Sequence, residues 1–293
     1  MPVDYADWQP TCDTLHAHTQ VLGKLAAVLA PQEPQLQHAA LRLTARGWET
    51  LPLPAPDGSG AFGVALDLHR HEAVVEHVDG RTRTVPLPDR SVRDVTLEVL
   101  AAVHELAGPV ELFLKPQETP WSTPLDEDTE HATYDPRQVE EYFVAASRAA
   151  QVLTALRAPY RGRSTPVNAW WGTFDLAVSL FSGRPTEPPS QGFIWRNAGD
   201  AQQIEVGWWP GDARYPKAAF YGFAFPAEAA LSAAPVAPGG WNAELGEFIL
   251  DSDDATFDAA LAFARSVAQH GCIACAWDPA LAGSLEGEPP PVT

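Results

Sequence analysis

One stretch constrains the fold of this chain most: 160–184, with the sequence YRGRSTPVNAWWGTFDLAVSLFSGR. As a strand, it turns Phe174 towards a core and turns Trp171 and Asp175 towards the opposite face. A carboxylate on that face needs a hydrogen bond, a partner of opposite charge or solvent in a cleft. The same residues also fit a helix, and both interpretations place a tight turn at Gly183.

The charge of the chain excludes two classes of partner. Its 293 residues include 19 Lys and Arg against 38 Asp and Glu, a formal net charge of -19 at pH 7. This charge repels the phosphates of nucleic acids and anionic membrane surfaces, so we expect neither as a partner. The start of the chain has no basic and apolar leader, and no apolar run is long enough to span a bilayer. The predicted location is the cytoplasm.

The cysteines indicate neither a disulfide framework nor a metal site. Only Cys272 and Cys275 have a suggestive C-x-x-C spacing, and Cys12 lies far from them in the sequence. A redox pair normally sits at the N-terminus of a helix, whereas this one follows a predicted helix end at Gly271. A zinc site would need a second ligand pair of the same kind. We therefore predict no tightly bound transition metal and no cofactor.

The order of predicted elements repeats along the chain, which indicates an internal duplication. The predicted fold is α+β, built from two helix-strands-helix-strand units with mostly antiparallel sheet, because many connections are short enough for hairpins. The predicted domains are a first repeat at 1–118, an acidic linker loop at 119–135 and a second repeat at 136–293, unless they join as one compact domain. The prediction rests on helices at 12–30, 92–107, 136–158 and 256–269 and on strands at 39–46, 62–69, 72–78, 110–114, 170–180, 203–209, 218–225, 247–250 and 272–277.

A line of polar side chains runs along the first predicted helix. His16, Gln20 and Lys24 are four residues apart and therefore lie on one face, opposite an apolar seam. One interpretation is a solvated polar stripe, and the other is the wall of a pocket. In the second case these side chains would meet Asp175 and Arg184 in one cleft.

In the segment LDEDTEHATYDP, four of the carboxylates crowd next to an imidazole. Asp126, Glu127, Asp128 and Glu130 with His131 offer the oxygen ligands that Ca²⁺ and Mg²⁺ prefer. Their spacing fits no EF-hand loop, which favours a solvated acidic loop over a site for a hard cation.

Six segments occur in a recognisable order over nearly the whole chain: DTLHAHTQVLGK, LTARG, DEDTEHATYDP, WWGTFDLAVSLFSGR, WWPG and LGEFIL. In that order they resemble the bacterial family catalogued as domain of unknown function 5996, and the resemblance implies no activity. The family often has His where this chain has Asn168, and His-Glu where it has Ala201 and Gln202, which argues against a histidine or metal role in the second half. The family pattern matches His16, Gln20, Lys24, Asp126, His131, Asp175, Gly183 and Arg184.

These observations support three hypotheses of function, and none of the local motifs of nucleotide, zinc or serine enzymes is present. The first is a cytoplasmic protein that binds a small polar metabolite in a cleft between the two pseudo-repeats. The second is a metal-independent acid/base enzyme acting on a small anionic or polar metabolite. The third is a non-catalytic oligomeric interaction protein, with the oligomeric state open. The candidate catalytic residues are His16, His131 and Asp175, and the candidate binding residues are Gln20, Lys24, Asp126, Trp171 and Arg184.

Overall fold

The computed structural model describes residues 4–190 and 192–285. These residues divide into two compact units. The N-terminal unit consists of 4–144 and 169–175, and the C-terminal unit consists of 145–168 and 176–285. The ends of the two predicted repeats, 1–3 and 286–293, lie outside the described residues. The repeat borders at 118 and 135 stay a prediction.

Two helices and a six-stranded antiparallel sheet form most of the N-terminal unit. The strand order is β1-β2-β4-β5-β6, and β3 pairs with β4. Helices α1 and α2 contact each other and the sheet. The elements are α1 (Tyr5–Leu29), a 3-10 helix (Pro34–Ala39), β1 (Arg42–Leu43), β2 (Gly47–Glu49), β3 (Leu53–Pro54), β4 (Ala61–Asp67), β5 (Glu72–His77), β6 (Thr82–Pro86) and α2 (Val92–Ala107).

Helix α1 begins seven residues before its predicted start at position 12. Pro10 lacks a backbone N–H and would normally limit a helix, but here it lies inside the helix near its N-terminus. The early start is held by Trp8, whose ring stacks on Tyr142 at 5.4 Å. The C-terminal end at Ala30, directly before Pro31, agrees with the sequence.

Helix α2 has the ends that its sequence predicts. The Ser91 hydroxyl accepts a hydrogen bond from the Asp94 N–H, and Gly108 ends the helix with a φ of 99°. The strand predicted at 110–114 is wrong, because this segment has no regular structure. Its backbone is engaged elsewhere: the Leu114 carbonyl accepts from the Leu125 N–H at 3.0 Å.

The C-terminal unit contains an antiparallel sheet with the order β11-β12-β10-β9-β8, and α5 packs on β9 and β10. The apolar segment 272–277, predicted as a strand, instead contains the end of α5 and a turn, so this prediction was wrong. The helix passes through Gly271, where a β-carbon would lie 2.8 Å from Ile204. The remaining elements are α3 (Pro136–Arg157, shared along the chain by both units), β7 (Asn168–Trp170), β8 (Asp175–Pro185), α4 (Phe193–Ala198), β9 (Ala201–Trp209), β10 (Ala219–Phe225), β11 (Gly240–Asn242), β12 (Glu247–Asp251), α5 (Phe257–Ala274) and α6 (Pro279–Ser284).

The stretch that led the sequence prediction is interrupted. Residues 171–174 form a turn, and β8 begins only at Asp175. A single strand over 170–180 was therefore wrong. Gly183 does not end the strand in a tight turn. It lies within β8 with a φ of 86°, at the point where the pairing of β8 with β9 shifts register.

The α+β class with mostly antiparallel sheet is confirmed. In each unit a helix precedes an antiparallel sheet and another follows it, but the predicted final strands are absent from 110–114 and 272–277. The internal duplication stays a prediction. No helix in the described ranges is both long and apolar enough to cross a membrane.

Candidate functional site

The turn at 171–174 is held in an uncommon backbone conformation by aromatic packing. Phe174 has a φ of 59°, which a bulky side chain rarely adopts. Its ring stacks with His16 at 4.9 Å and with Trp48 and Tyr142 at 5.2 Å each, measured between ring centroids. The Trp48 indole N–H also donates to the Tyr142 hydroxyl at 3.1 Å. These contacts fix the residue that precedes Asp175.

A glycine in the middle of α1 accommodates the neighbouring tryptophan. A β-carbon at Gly23 would lie 2.0 Å from the Trp171 ring. The Trp171 indole N–H donates to the Ala39 carbonyl at 3.0 Å. The ring is therefore fixed on both sides, and its backbone carbonyl is placed beside α1.

Two residues of the polar line on α1 bind the backbone of this turn. His16 Nε2 lies 3.0 Å from the carbonyl oxygens of both Trp171 and Gly172. Gln20 Nε2 donates to the Trp171 carbonyl at 2.9 Å. Both side chains are buried, so the line is not a solvated stripe. Because carbonyl oxygens only accept, His16 carries its ring proton on Nε2.

Burial keeps His16 neutral at pH 7. Desolvation lowers the pKa of His16 to about 4, although the hydrogen bonds to the two carbonyls act in the opposite direction. At neutral pH the ring is therefore a neutral donor to the turn. It is a poor proton carrier in this pH range.

Lys24 holds an enclosed amine at the end of the same line. Its side chain is 4% exposed, and its Nζ donates to the Lys115 carbonyl at 2.7 Å. The same nitrogen lies 5.4 Å from the Trp171 ring and 5.7 Å from the Phe113 ring. Burial lowers the pKa of Lys24 to about 8.

Gln20 and Lys24 together fasten the loop after 114 to α1. The Gln20 side chain donates to the Gln117 carbonyl at 3.0 Å and accepts from the Gln117 N–H at 3.1 Å. This pair of bonds anchors the backbone of Gln117 to α1. It also positions the next residue, Glu118.

Glu118 has a left-handed backbone conformation and a raised pKa. Its φ is 57°, and its side chain is exposed. Desolvation by the surrounding protein, and then the charge of Asp175, raise the pKa of Glu118 to about 6.

Asp175 is the carboxylate whose charge contributes to the raised pKa of Glu118. It is 4% exposed, and its Oδ1 accepts a hydrogen bond from the Thr173 hydroxyl. Its charge acts on Glu118, and carboxylates with a perturbed pKa cluster at functional sites.

The acidic loop is only partly solvated. Asp128 is fully buried, and its carboxylate accepts from the N–H groups of Glu130 and His131 at 3.0 Å and contacts His131 Nδ1 at 2.7 Å. The solvated interpretation was therefore wrong at Asp128, while Glu127 and Glu130 are exposed.

Trp121 connects this loop to the polar line. Its ring lies 5.3 Å from His16 and 4.8 Å from His131. Asp126 is half-buried on the same loop. No three His, Cys, Asp or Glu side chains within 4–190 and 192–285 are grouped as metal ligands would be.

Arg184 belongs to the C-terminal unit. Its guanidinium donates to the Ala276 carbonyl at 3.1 Å there. Of the residues named from the sequence, the N-terminal unit connects His16, Gln20, Lys24, Trp171 and His131 by the contacts described above, with Trp121 between His16 and His131. Asp175 belongs to the same unit and directly follows Phe174, whose ring stacks on His16. The functional roles predicted for all of them, Arg184 included, stay predictions.

Sequence reasoning did not single out Gly23, Glu118 or Trp121, and it assigned Phe174 only to the core. Gly23 carried a usable signal, because glycine in a helix interior costs about 1 kcal/mol and often marks a close approach. Phe174 and Glu118 carried none, because their left-handed backbone follows from contacts distant in the sequence. In the sequence, Glu118 falls at the predicted border between the first repeat and the acidic linker loop.

Comparison with known families places the chain in one of them. The model of a family of unknown function, DUF5996, matches residues 1–283. The chain therefore belongs to this family, as the six sequence segments indicated. No curated protein and no solved structure matches the chain.

Proposed function

We propose, for a member of a family without an established activity, that this protein binds a small polar molecule in the cytoplasm. The binding site is the surface formed by Glu118, Trp121 and Asp175 over the polar line of His16, Gln20 and Lys24, called here the carboxylate site. All six residues belong to the N-terminal unit.

The observation that carries this proposal is the pair Glu118 and Asp175. The pKa of Glu118 is raised to about 6 by desolvation and by the charge of Asp175. Carboxylates with a perturbed pKa cluster at binding and catalytic sites, which supports a ligand site at this pair.

Backbone strain supports the same assignment. Glu118 and Phe174, the neighbour of Asp175, both have φ near +60°. Such conformations cost about 1–3 kcal/mol each and are retained where surrounding contacts impose them, often at functional sites. The aromatic stack on Phe174 and the bonds between Gln20 and Gln117 are those contacts.

Equilibrium dialysis against a mixed metabolite extract, read by mass spectrometry, tests the proposal. The full chain should retain specific compounds, and Glu118→Gln and Asp175→Asn should lose them. Glu111→Gln is the matched control, since Glu111 is an exposed glutamate on the same loop. If the wild-type chain retains no compound, or if both site variants retain the same compounds, the proposal is wrong.

A metal-independent acid/base enzyme is the second candidate, and the titration of Glu118 favours it. A carboxyl group with a pKa of about 6 exchanges protons close to neutral pH, whereas His16, with a pKa of about 4, is a weaker choice. The test is conversion of a retained compound. The conversion rate should change with pH around 6, and Glu118→Gln should remove that pH dependence. If Glu118→Gln converts the compound at the wild-type rate with the same pH dependence, this candidate is excluded.

A further inference from the structure

An aspartate and a histidine form a closely bonded pair in the acidic loop. The Nδ1 atom of His131 lies 2.7 Å from the Oδ2 atom of Asp128, which is fully buried. Because a carboxylate only accepts hydrogen bonds, the Nδ1 atom of neutral His131 carries the ring proton. The lone pair of the imidazole is therefore on Nε2.

Backbone hydrogen bonds fix this pair in place. The Oδ1 atom of Asp128 accepts from the N–H groups of Glu130 and His131 at 3.0 Å each. At the start of α2, the Arg93 N–H donates to the Asp128 carbonyl at 2.8 Å. The adjacent Val92 N–H donates to the His131 carbonyl at the same distance. The loop and the first turn of α2 therefore set the orientation of the imidazole.

The Nε2 atom of His131 is open. The side chain is 19% exposed, and no residue within 4–190 and 192–285 forms a hydrogen bond with Nε2. The two histidines of α1 are more enclosed, with 8% of His16 and 1% of His18 exposed. Of these three histidines, His131 is the one that a bound molecule can reach most easily.

Trp121 joins this open nitrogen to the carboxylate site, of which it is a part. Its ring centroid lies 4.8 Å from that of His131 and 5.3 Å from that of His16. Aromatic rings at these distances are in contact. A molecule that packs against Trp121 can therefore also reach the edge of the His131 ring.

We propose that His131 Nε2 accepts a hydrogen bond from the molecule bound at the carboxylate site, which presents an O–H or N–H group there. Asp128 is the positioning residue, because its carboxylate holds the ring proton on Nδ1 and leaves Nε2 as an acceptor. This inference rests on the proposed function and adds the kind of group by which the ligand is recognised.

Asp128→Asn tests the positioning role. The two backbone N–H groups hold the side-chain oxygen at Oδ1, so the amide nitrogen of the variant takes the place of Oδ2, opposite Nδ1. An amide NH₂ group only donates, so the ring proton moves to Nε2. The variant should retain the dialysed compounds about tenfold or more weakly, because their donor then meets a second donor. Glu130→Gln, at an exposed neighbour, should retain them as the wild type does.

Long-range proton–nitrogen nuclear magnetic resonance of the isotope-labelled full chain reads the position of the ring proton directly. At a pH where His131 is neutral, the wild type and Glu130→Gln should carry this proton on Nδ1, and Asp128→Asn should carry it on Nε2. A wild-type ring with the proton on Nε2 would overturn the inference, and so would a folded Asp128→Asn variant that keeps it on Nδ1.

Diethyl pyrocarbonate tests in the wild type whether a ligand covers Nε2, since this reagent acylates an accessible, unprotonated ring nitrogen. Mass spectrometry should find His131 modified, and the metabolite extract used in the dialysis should abolish this modification but not that of the exposed His104. If the dialysis retains compounds and the extract leaves the modification of His131 unchanged, the inference is wrong and the proposed function stands. A dialysis that retains no compound would instead remove the proposed function.

Discussion

The Trp171 ring lies directly against Gly23, at a distance that leaves no space for a β-carbon on the helix. This contact sets how closely the turn approaches α1. It thereby places the Trp171 carbonyl within hydrogen-bond distance of both His16 and Gln20. The first prediction follows from this relationship.

Gly23→Ala should destabilise the N-terminal unit. The new β-carbon would lie 2.0 Å from the Trp171 ring, so either the ring or the helix must move. Overpacking of this kind costs about 1–3 kcal/mol, measurable by chemical denaturation followed by tryptophan fluorescence. Gly63→Ala is the control, since its nearest neighbour, the Thr50 hydroxyl, lies at 3.8 Å. Equal stability of the two variants would contradict the close contact.

His18→Leu should reduce the sensitivity of the fold to acid. His18 is 1% exposed, and neither ring nitrogen has a partner among the described residues. Burial lowers the pKa of His18 to about 4, despite the opposing charge of Asp128. The unfolded chain binds this proton near pH 6.5 and the folded chain only near pH 4, so stability falls as the pH decreases between these values. The loss amounts to roughly 3 kcal/mol for such a shift.

The measurement for His18 is the free energy of unfolding at pH 7 and at pH 5. His18→Leu should lose less stability over this interval than the wild type, and His16, with a similarly lowered pKa, accounts for part of the remainder. His104→Gln, a change at an exposed histidine, should behave as the wild type does. An unchanged acid response in His18→Leu would contradict the prediction.

Lys24→Met should remove a rise in the free energy of unfolding that the wild type shows as the pH increases above about 8. Burial lowers the pKa of Lys24 to about 8 from 10.5, so the unfolded chain binds this proton more strongly in that interval. The contribution of Lys24 to stability therefore rises with pH from about 8 to 10.5. The methionine variant should lack this rise in denaturation measurements between pH 7.5 and 9.5. Lys115→Met changes an exposed lysine and should keep the rise in stability with pH. If Lys24→Met keeps the rise and Lys115→Met loses it, Lys24 is not desolvated.

Carboxyl-detected nuclear magnetic resonance should find Glu118 titrating near pH 6. Desolvation is the larger cause of this raised pKa and the charge of Asp175 is the smaller. Asp175→Asn should consequently lower the titration midpoint by less than half of the shift. A midpoint near the ordinary value of 4.5 in the wild type would remove the main support for the carboxylate site.

The predictable parts of the fold are those with local causes. The Ser91 cap and the Gly108 end of α2 were recognisable because side-chain caps and left-handed glycines act within a few residues. The helix end at 272–274 was not, because its apolar residues suit a strand as well as a buried helix end. The close approach of Gly271 to Ile204 decides between them, and those residues are far apart in the sequence.

The sequence by itself determined the α+β class, the antiparallel sheets, the family and the polar line of His16, Gln20 and Lys24 on one helix face. These properties follow from periodicity, short connections and side-chain type. Only the tertiary structure decided what that line meets: a turn of left-handed backbone at Phe174 and a loop bearing Glu118. The reason is physical, since a strained φ and a shifted pKa are produced by neighbours that packing brings together from more than ninety residues away in the chain.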